Sequence, residues 1–238
     1  MAELVYPPVL GLARGFFAAL DLKITVDDAH HIPTTGGAVI AINHVSYLDF
    51  IFAGLTARYI KPKRVIRFMA KESVFRHKVS GPLMRGMHHI PVDRAAGADA
   101  YRAAVQALKD GELVGVFPEA TISQSFELKG FKAGAARMAQ EAGVPIVPVV
   151  IWGSQRLMTK GKPRNLKRNG IAIIAKVGAP LAIEADDDIQ VATEVLKKQM
   201  NGLLVAARET YPQSPKDDSD RWWLPASMGG TAPPLPVA

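Results

Sequence analysis

The sequence predicts an α/β fold: a largely parallel mixed sheet of about seven strands flanked by helices, entered through an apolar helical segment. Three observations carry this expectation. Strand-like and helix-like stretches alternate along most of the 238 residues. The strand stretches are apolar nearly throughout instead of alternating apolar with polar, which is the pattern of strands covered on both faces. Gly111, Gly143 and Gly170 punctuate the ends of elements.

In chain order, Leu4 to Leu20 is apolar but interrupted by Pro7, Pro8 and Arg14. From Val9 it reads as one helix whose apolar residues (Val9, Leu10, Leu12, Ala13, Phe16, Phe17 and Leu20) cover most of its surface, either packed in a core or laid in a lipid interface. Strands are expected at Lys23–Val26, Ala38–Ile42, Arg67–Ala70, His89–Val92, Leu113–Phe117, Ile146–Trp152 and Ile171–Val177. Helices are expected at Tyr47–Ala57, Ala98–Lys109, Lys132–Glu141 and Asp187–Arg208. Beyond Tyr211 the chain turns rich in Pro, Ser, Asp, Ala and Gly and reads as a tail. Its Trp222-Trp223 pair either ties the tail to the domain or inserts at a bilayer interface. The organisation expected is therefore a membrane-associated helical segment at 1–22, an α/β domain at 23–211 and a tail at 212–238.

Composition narrows the function classes. Hydrophobic residues make up 48% and charged residues 21%, values of an ordinary globular protein. The stretch of about twenty uninterrupted apolar residues that a spanning helix needs is missing, as is the pattern of a secretory leader, and the start Met1-Ala2-Glu3 reads as retention in the cytoplasm. With no cysteine, disulfides, thiol nucleophiles and cysteine-ligated zinc are excluded. The formal charge of +7 favours anionic partners. Arg58, Lys61, Lys63, Arg64, Arg67, Lys71, Arg76, Lys78, Arg85 and Arg94 form a first basic cluster, read as a surface facing phosphate or membrane. Arg156, Lys160, Lys162, Arg164, Lys167 and Arg168 form a second. Neither sits in a readable nucleic-acid-binding module, so no nucleic-acid partner is expected.

Two short runs carry chemistry: Asn43-His44-Val45-Ser46-Tyr47-Leu48-Asp49 and Phe117-Pro118-Glu119-Ala120-Thr121-Ile122-Ser123. The first sets an imidazole at the end of an apolar strand, and the turn that follows brings Asp49 back to orient it. That is a general base with its orienter and no protein nucleophile, an arrangement suited to a substrate that supplies its own hydroxyl. The same run also matches a helix-start capping box, with Ser46 as N-cap and Asp49 at the third helical position, and the backbone N–H groups of such a start suit an oxyanion. Asn43 either holds the turn or lines the site. Ser46, Ser123 and Ser125 lack the G-x-S-x-G setting of an exposed nucleophile. The adjacent pairs His30-His31 and His88-His89 have no carboxylate at ligand spacing, so no metal site is expected.

These runs, with Ile90-Pro91-Val92-Asp93-Arg94 and Val144-Pro145-Ile146-Val147-Pro148, resemble in order the four signature blocks of the glycerophosphate acyltransferase family, over roughly residues 35 to 155. Its first block is NHxxxxD and its third FPEGTRS. The resemblance implies transfer of a fatty acyl group from acyl-CoA, or from acyl carrier protein, to a free hydroxyl of lysophosphatidic acid or a related lysophospholipid. His44 would be the base and Asp49 its orienter, with no cofactor besides the acyl co-substrate. Arg94, Glu119 and Thr121 would inherit acceptor-binding roles, Arg94 on the phosphate and Glu119 by bonding a glycerol hydroxyl or positioning a basic neighbour. The chain departs from the third block at Ala120 and Ile122, where the family has glycine and arginine. Lys129 and Lys132 stand just downstream to replace the missing cation, or the acceptor carries a larger headgroup. Lys71 is a further candidate for phosphate or coenzyme A. A glycolipid acceptor and a lipid-binding protein without turnover are the alternative readings. The expected location is peripheral, on the cytoplasmic face of an anionic membrane.

Overall fold

The computed structural model describes residues 5–93 and 97–235. The expected strands all form, each within one residue of its expected ends: β1 (Lys23–Asp27), β2 (Ala38–Ile42), β3 (Ile66–Lys71), β4 (Ile90–Val92), β5 (Leu113–Val116), β6 (Ile146–Trp152) and β7 (Ala172–Val177). They make one seven-stranded sheet in the order β1-β7-β6-β2-β5-β3-β4. β7 pairs antiparallel with β6 and parallel with β1, and every other pairing is parallel. Five strands thus point one way, and β1 and β7 the other.

Both faces of the sheet are covered, which is why the strands read as unbroken apolar runs. On one face α5 (Gly97–Lys109), α6 (Gly134–Ala142) and α7 (Ile189–Glu209) bury Ala104, Leu108, Met138, Leu196, Met200 and Leu204 against Val39, Val114 and Val150. On the other, α1 (Tyr6–Ala19) and α2 (Asp49–Thr56) bury Phe17, Phe52 and Leu55 against Ile40, Ile42, Val147 and Ile151. Phe17 stacks on Phe52 with ring centroids 5.0 Å apart. Gly115 of β5 faces Phe68 and Ile66 of β3, and a Cβ there would lie 2.7 Å from the Phe68 ring. The third position of β5 is glycine because the neighbouring strand fills that space.

Several helices differ from the expected ones, α6 and α7 each beginning two residues later than Lys132 and Asp187. α1 begins at Tyr6 and takes Pro7 and Pro8 into its first turn, where a missing N–H leaves no hydrogen bond unmade. α2 begins at Asp49, two residues after the expected Tyr47, because Tyr47 gives its N–H to Met158 O instead of a helical turn. Two short helices not foreseen, α3 (Glu72–Arg76) and α4 (Ser80–Gly86), form a pair between β3 and β4. Each is too short to show a helical period. They bury Phe75 and Met84 with Tyr6 and Met87 in a small separate cluster. No described helix is long and apolar enough to cross a membrane.

The tail packs onto the domain. Trp223 and Leu224 are buried in the core under α7, and the Arg156 guanidinium lies 4.4 Å over the Trp223 ring. Trp222 is half-buried beneath the Lys162 ammonium. Of the two roles open to the paired tryptophans, tying the tail down is the one these contacts perform.

The topology fixes where a site can form. The chain leaving β2 passes through α2 on one face to reach β3, and the chain leaving β5 passes through α6 on the other to reach β6. β2 and β5 are neighbours, so their carboxyl ends part to opposite faces and leave a crevice between them. His44 follows β2 and Glu119 follows β5.

Candidate active site

Four buried or half-buried groups build the turn after β2. Asn43 is fully buried, and its side chain both donates to Ile151 O (3.1 Å) and accepts from Ile151 N (2.7 Å). It extends the β2–β6 ladder past its last pair, Ile42 and Val149, and so holds backbone; it is not among the cleft-lining residues. Glu119 accepts from the backbone N–H of His44 at 2.8 Å and from that of Lys129 at 3.1 Å. His44 O in turn accepts from Ser123 N at 2.7 Å. The two sequence runs are thereby locked together at the backbone.

Asp49 is the hub. One carboxylate oxygen, Oδ2, meets His44 Nδ1 at 3.1 Å, Val45 N at 2.8 Å and Ser46 N at 2.7 Å. The other, Oδ1, accepts from Ser154 Oγ at 2.6 Å. Because an ionised carboxylate only accepts, Nδ1 of His44 is the donor in this bond, and Nε2 is left without a partner among the described residues. The His44 side chain is 19% exposed and lies on the Phe117 ring, centroids 4.2 Å apart and 28° from parallel. The ring has one orientation, fixed by Asp49 at its edge and Phe117 on its face.

The capping box forms in altered shape. Asp49 reaches back to Ser46 N as the motif requires, but Ser46 Oγ accepts from Leu48 N and itself donates to Met158 O, and Leu48 is the N-cap. The expectation of free N–H groups for an oxyanion is met at none of residues 44 to 49. From residue 44 to 49 every backbone N–H has an acceptor: Glu119 for His44, Asp49 for Val45 and Ser46, Met158 O for Tyr47, Ser46 Oγ for Leu48 and Ser46 O for Asp49.

His44 opens into a cleft of about 830 Å³, within the range of small-molecule sites. Its walls are mainly apolar: Phe50, Phe68, Met69, Val74, Met84, Val92, Val116 and Met138. Lys71, Thr121 and Lys132 also line it, so three of the expected acceptor contacts share this space with His44. Lys129 does not line the cleft; its ammonium bonds both the carbonyl (2.9 Å) and the hydroxyl oxygen of Thr121. Glu119 is 4% exposed with both oxygens on backbone donors, one of them the N–H of Lys129, so of its expected roles it matches holding a basic neighbour and not direct contact with the acceptor. Burial pushes its carboxyl up to about 7, against the pull of the His44 and Lys129 N–H groups. Ile122 is buried and is not among the cleft-lining residues. Ala120 holds the glycine position of the motif at φ +60°, in the left-handed region. Arg94 lies outside the described residues.

The first basic cluster is not one surface. Arg58, Lys63, Arg64 and Arg67 line a second pocket of about 470 Å³, with Tyr6, Asp110 and Glu112, at the amino ends of β3 and β5. That is the end of the sheet opposite His44. Arg64 there donates to Pro33 O and Gly111 O, and Arg67 pairs with Glu112 at 2.5 Å and donates to Met87 O. These cations fasten loops. The histidine pairs also serve structure, His89 accepting from Phe68 N and His31 facing Val177 O.

Ser154 and Met158 are the site residues that sequence reasoning missed. Ser154 stands 105 positions from Asp49 and has no motif of its own; the left-handed Gly153 before it (φ +95°), packed against Ala172 O, turns the chain out of β6 toward Asp49.

Comparison with known proteins identifies the family and the fold. A family model described as Acyltransferase matches residues 23–152. The 1-acyl-sn-glycerol-3-phosphate acyltransferase of Bacillus subtilis (strain 168) is 34% identical over 143 residues, 58% of this chain and 69% of that protein. A protein of the same printed name from Chlamydomonas reinhardtii is 28% identical, over 80% of this chain but 57% of its own length. The chain thus spans a little over half of some curated relatives. Among solved structures, the 1-acyl-sn-glycerophosphate (LPA) acyltransferase PlsC from Thermotoga maritima superposes with a TM-score of 0.69 at 21% identity, covering 84% of this chain and 78% of that one. The fold is shared with that structure, and the match over residues 23–152, more than half of the chain, makes it a member of the Acyltransferase family.

Proposed function

We propose that the protein transfers a fatty acyl group from a thioester donor, acyl-CoA or acyl carrier protein, to the free hydroxyl of lysophosphatidic acid. The observation that carries this reading is the His44–Asp49 pair opening, through an unoccupied Nε2, onto an apolar-walled cleft that also holds Lys71 and Lys132. A base, an acyl-sized apolar space and cations for an acceptor phosphate then lie together.

In the step derived from this geometry, His44 Nε2 takes the proton of the acceptor hydroxyl as its oxygen attacks the thioester carbonyl. The imidazolium that forms is stabilised by Asp49, whose other oxygen is held by Ser154. The tetrahedral intermediate collapses with loss of the thiolate, which takes the proton from His44, leaving ester and thiol. Lys71 and Lys132 would meet the acceptor phosphate. The described cleft lacks the family arginine, since position 122 is a buried isoleucine, and a lysophospholipid with a larger headgroup is the second acceptor to try. The reading is tested by acceptor-dependent release of free thiol across a panel of lysolipids. Release that depends on His44 and is greatest with lysophosphatidic acid supports it, and absence of release across the panel refutes it.

The protein would work as a peripheral protein of an anionic membrane. Leu12 on α1 is 76% exposed, and Phe16 on the same helix and Val79 and Leu83 around α4 are exposed as well, with Arg76 and Lys78 nearby in sequence. Insertion of apolar residues together with charge attraction is the expected mode. Co-sedimentation with anionic vesicles at low and high salt separates the two contributions.

A further inference from the structure

We propose that the loop from Lys160 to Arg168 is a docking surface for an acidic carrier protein that presents the acyl thioester; the inference rests on the acyl-transfer reading above. The loop leaves the carboxyl end of β6, the end at which His44 stands. It is joined directly to the His44 turn: Ser46 Oγ and Tyr47 N donate to Met158 O, and the buried Thr159 donates to Val45 O at 2.7 Å. One residue further on, Gln124, which directly follows the other signature run, donates to Lys160 O. A partner seated on this loop sits at the edge of the reacting centre.

The loop is built to present charge outward. Its backbone is held by Asn165 N on Leu157 O and by the Asn165–Asn169 side-chain bond, while Lys162 lies over Trp222 of the docked tail. Lys160, Lys162, Arg164, Lys167 and Arg168 are all exposed, and no carboxylate occurs from Leu157 to Ile183. Among the described residues none of the five makes an ion pair within 4.0 Å. Arg168 adds to the lowering of the Asp21 carboxyl, which Lys23 chiefly causes.

Shape and composition favour a macromolecular acidic face over the other anionic partners. The five cations spread over an open loop and line neither of the two pockets, so they do not enclose a small ligand. The loop exposes one large apolar side chain, Leu166, whereas the opposite rim of the cleft exposes Val74 with Val79 and Leu83 close by. A bilayer needs apolar insertion as well as charge, and a soluble acidic protein needs charge alone.

The test uses the full chain and a bacterial acyl carrier protein in its holo form, which carries no acyl group, so binding is read without turnover. Fluorescence anisotropy compares the wild type with the K160S/K162S/R164S/K167S variant. Expected are wild-type binding that weakens with salt and a dissociation constant raised at least about tenfold in the variant. If the wild type does not bind, or the variant binds equally, the proposal is overturned. It is equally overturned if the variant keeps carrier binding and instead loses co-sedimentation with phosphatidylglycerol vesicles, which would make the loop membrane-facing. Should the quadruple variant fail to fold, the single reversals Lys160→Glu and Lys167→Glu are read in the same way. Acyl transfer assayed separately tells a failed docking surface from a failed enzyme.

Discussion

The two ends of the sheet carry comparable inventories of charged groups and use them in opposite ways. At the amino end Arg64 and Arg67 spend their donors on Pro33 O, Gly111 O, Met87 O and Glu112, closing loops around a polar pocket. At the carboxyl end the buried carboxylates Asp49 and Glu119 saturate backbone N–H groups so that one ring nitrogen, His44 Nε2, and two ammonium groups, Lys71 and Lys132, are left facing a cleft. A cluster of charge in sequence says nothing about which of these it will be. The proposed function sits where donors and acceptors are left over.

The sharpest way to break this comparison is at His44. His44→Ala should lower the rate of acyl transfer by about 10²–10⁴-fold with little change in melting temperature, since the ring makes one side-chain hydrogen bond and otherwise lies on Phe117. A variant keeping a tenth of the rate would remove the base from the mechanism. Asp49→Asn should lose both rate and stability, unlike His44→Ala. Its amide nitrogen would face donors from Val45 and Ser46 or from Ser154, leaving buried groups unsatisfied at a cost of about 2–4 kcal/mol. Chemical denaturation beside steady-state kinetics checks the pair.

Glu119 sharpens the comparison through pH. Burial raises its carboxyl from 4.5 to about 7, so the folded protein binds this proton more tightly than the unfolded chain does. Its contribution to stability is complete below the unfolded value and is lost as pH rises through about 7, a change of up to about 3 kcal/mol. Denaturation midpoints measured between pH 5 and 8 should fall with that slope, and Glu119→Gln should flatten it. A slope unchanged in the variant would place the titration elsewhere.

At the amino end, Arg67→Met should destabilise by about 2 kcal/mol, because it strands Glu112 and the Met87 carbonyl, while leaving kcat/KM of the folded enzyme as it was. A loss of activity without loss of stability would mean that this end of the sheet serves the reaction. The smallest effect is expected at Ala120. Its φ of +60° costs an L-residue about 1 kcal/mol that glycine does not pay, so Ala120→Gly should stabilise by about that amount with turnover preserved.

The strands were legible because burial on both faces writes itself into local composition: Ala38–Ile42 and Ile146–Trp152 are apolar end to end and are found as expected. The His44–Asp49 pair was legible because both partners lie within one turn of chain. α3 and α4 were not, being too short for a period, and their apolar residues are buried by contact with α1. The start of α2 was misplaced because the competitor for the Tyr47 N–H, Met158 O, comes from a loop more than a hundred residues away.

The sequence by itself determined the alternation of elements, the burial of the sheet, and the pairing of His44 with Asp49, since each depends on neighbours a few positions apart. Only the tertiary structure decided which polar groups remain free. Glu119 is consumed by the backbone of His44 and Lys129, Asn43 by Ile151, Arg67 by Glu112, and Asp49 gains Ser154. A hydrogen-bonding group has few positions to fill, and whether a partner fills them depends on which distant strands the topology makes adjacent.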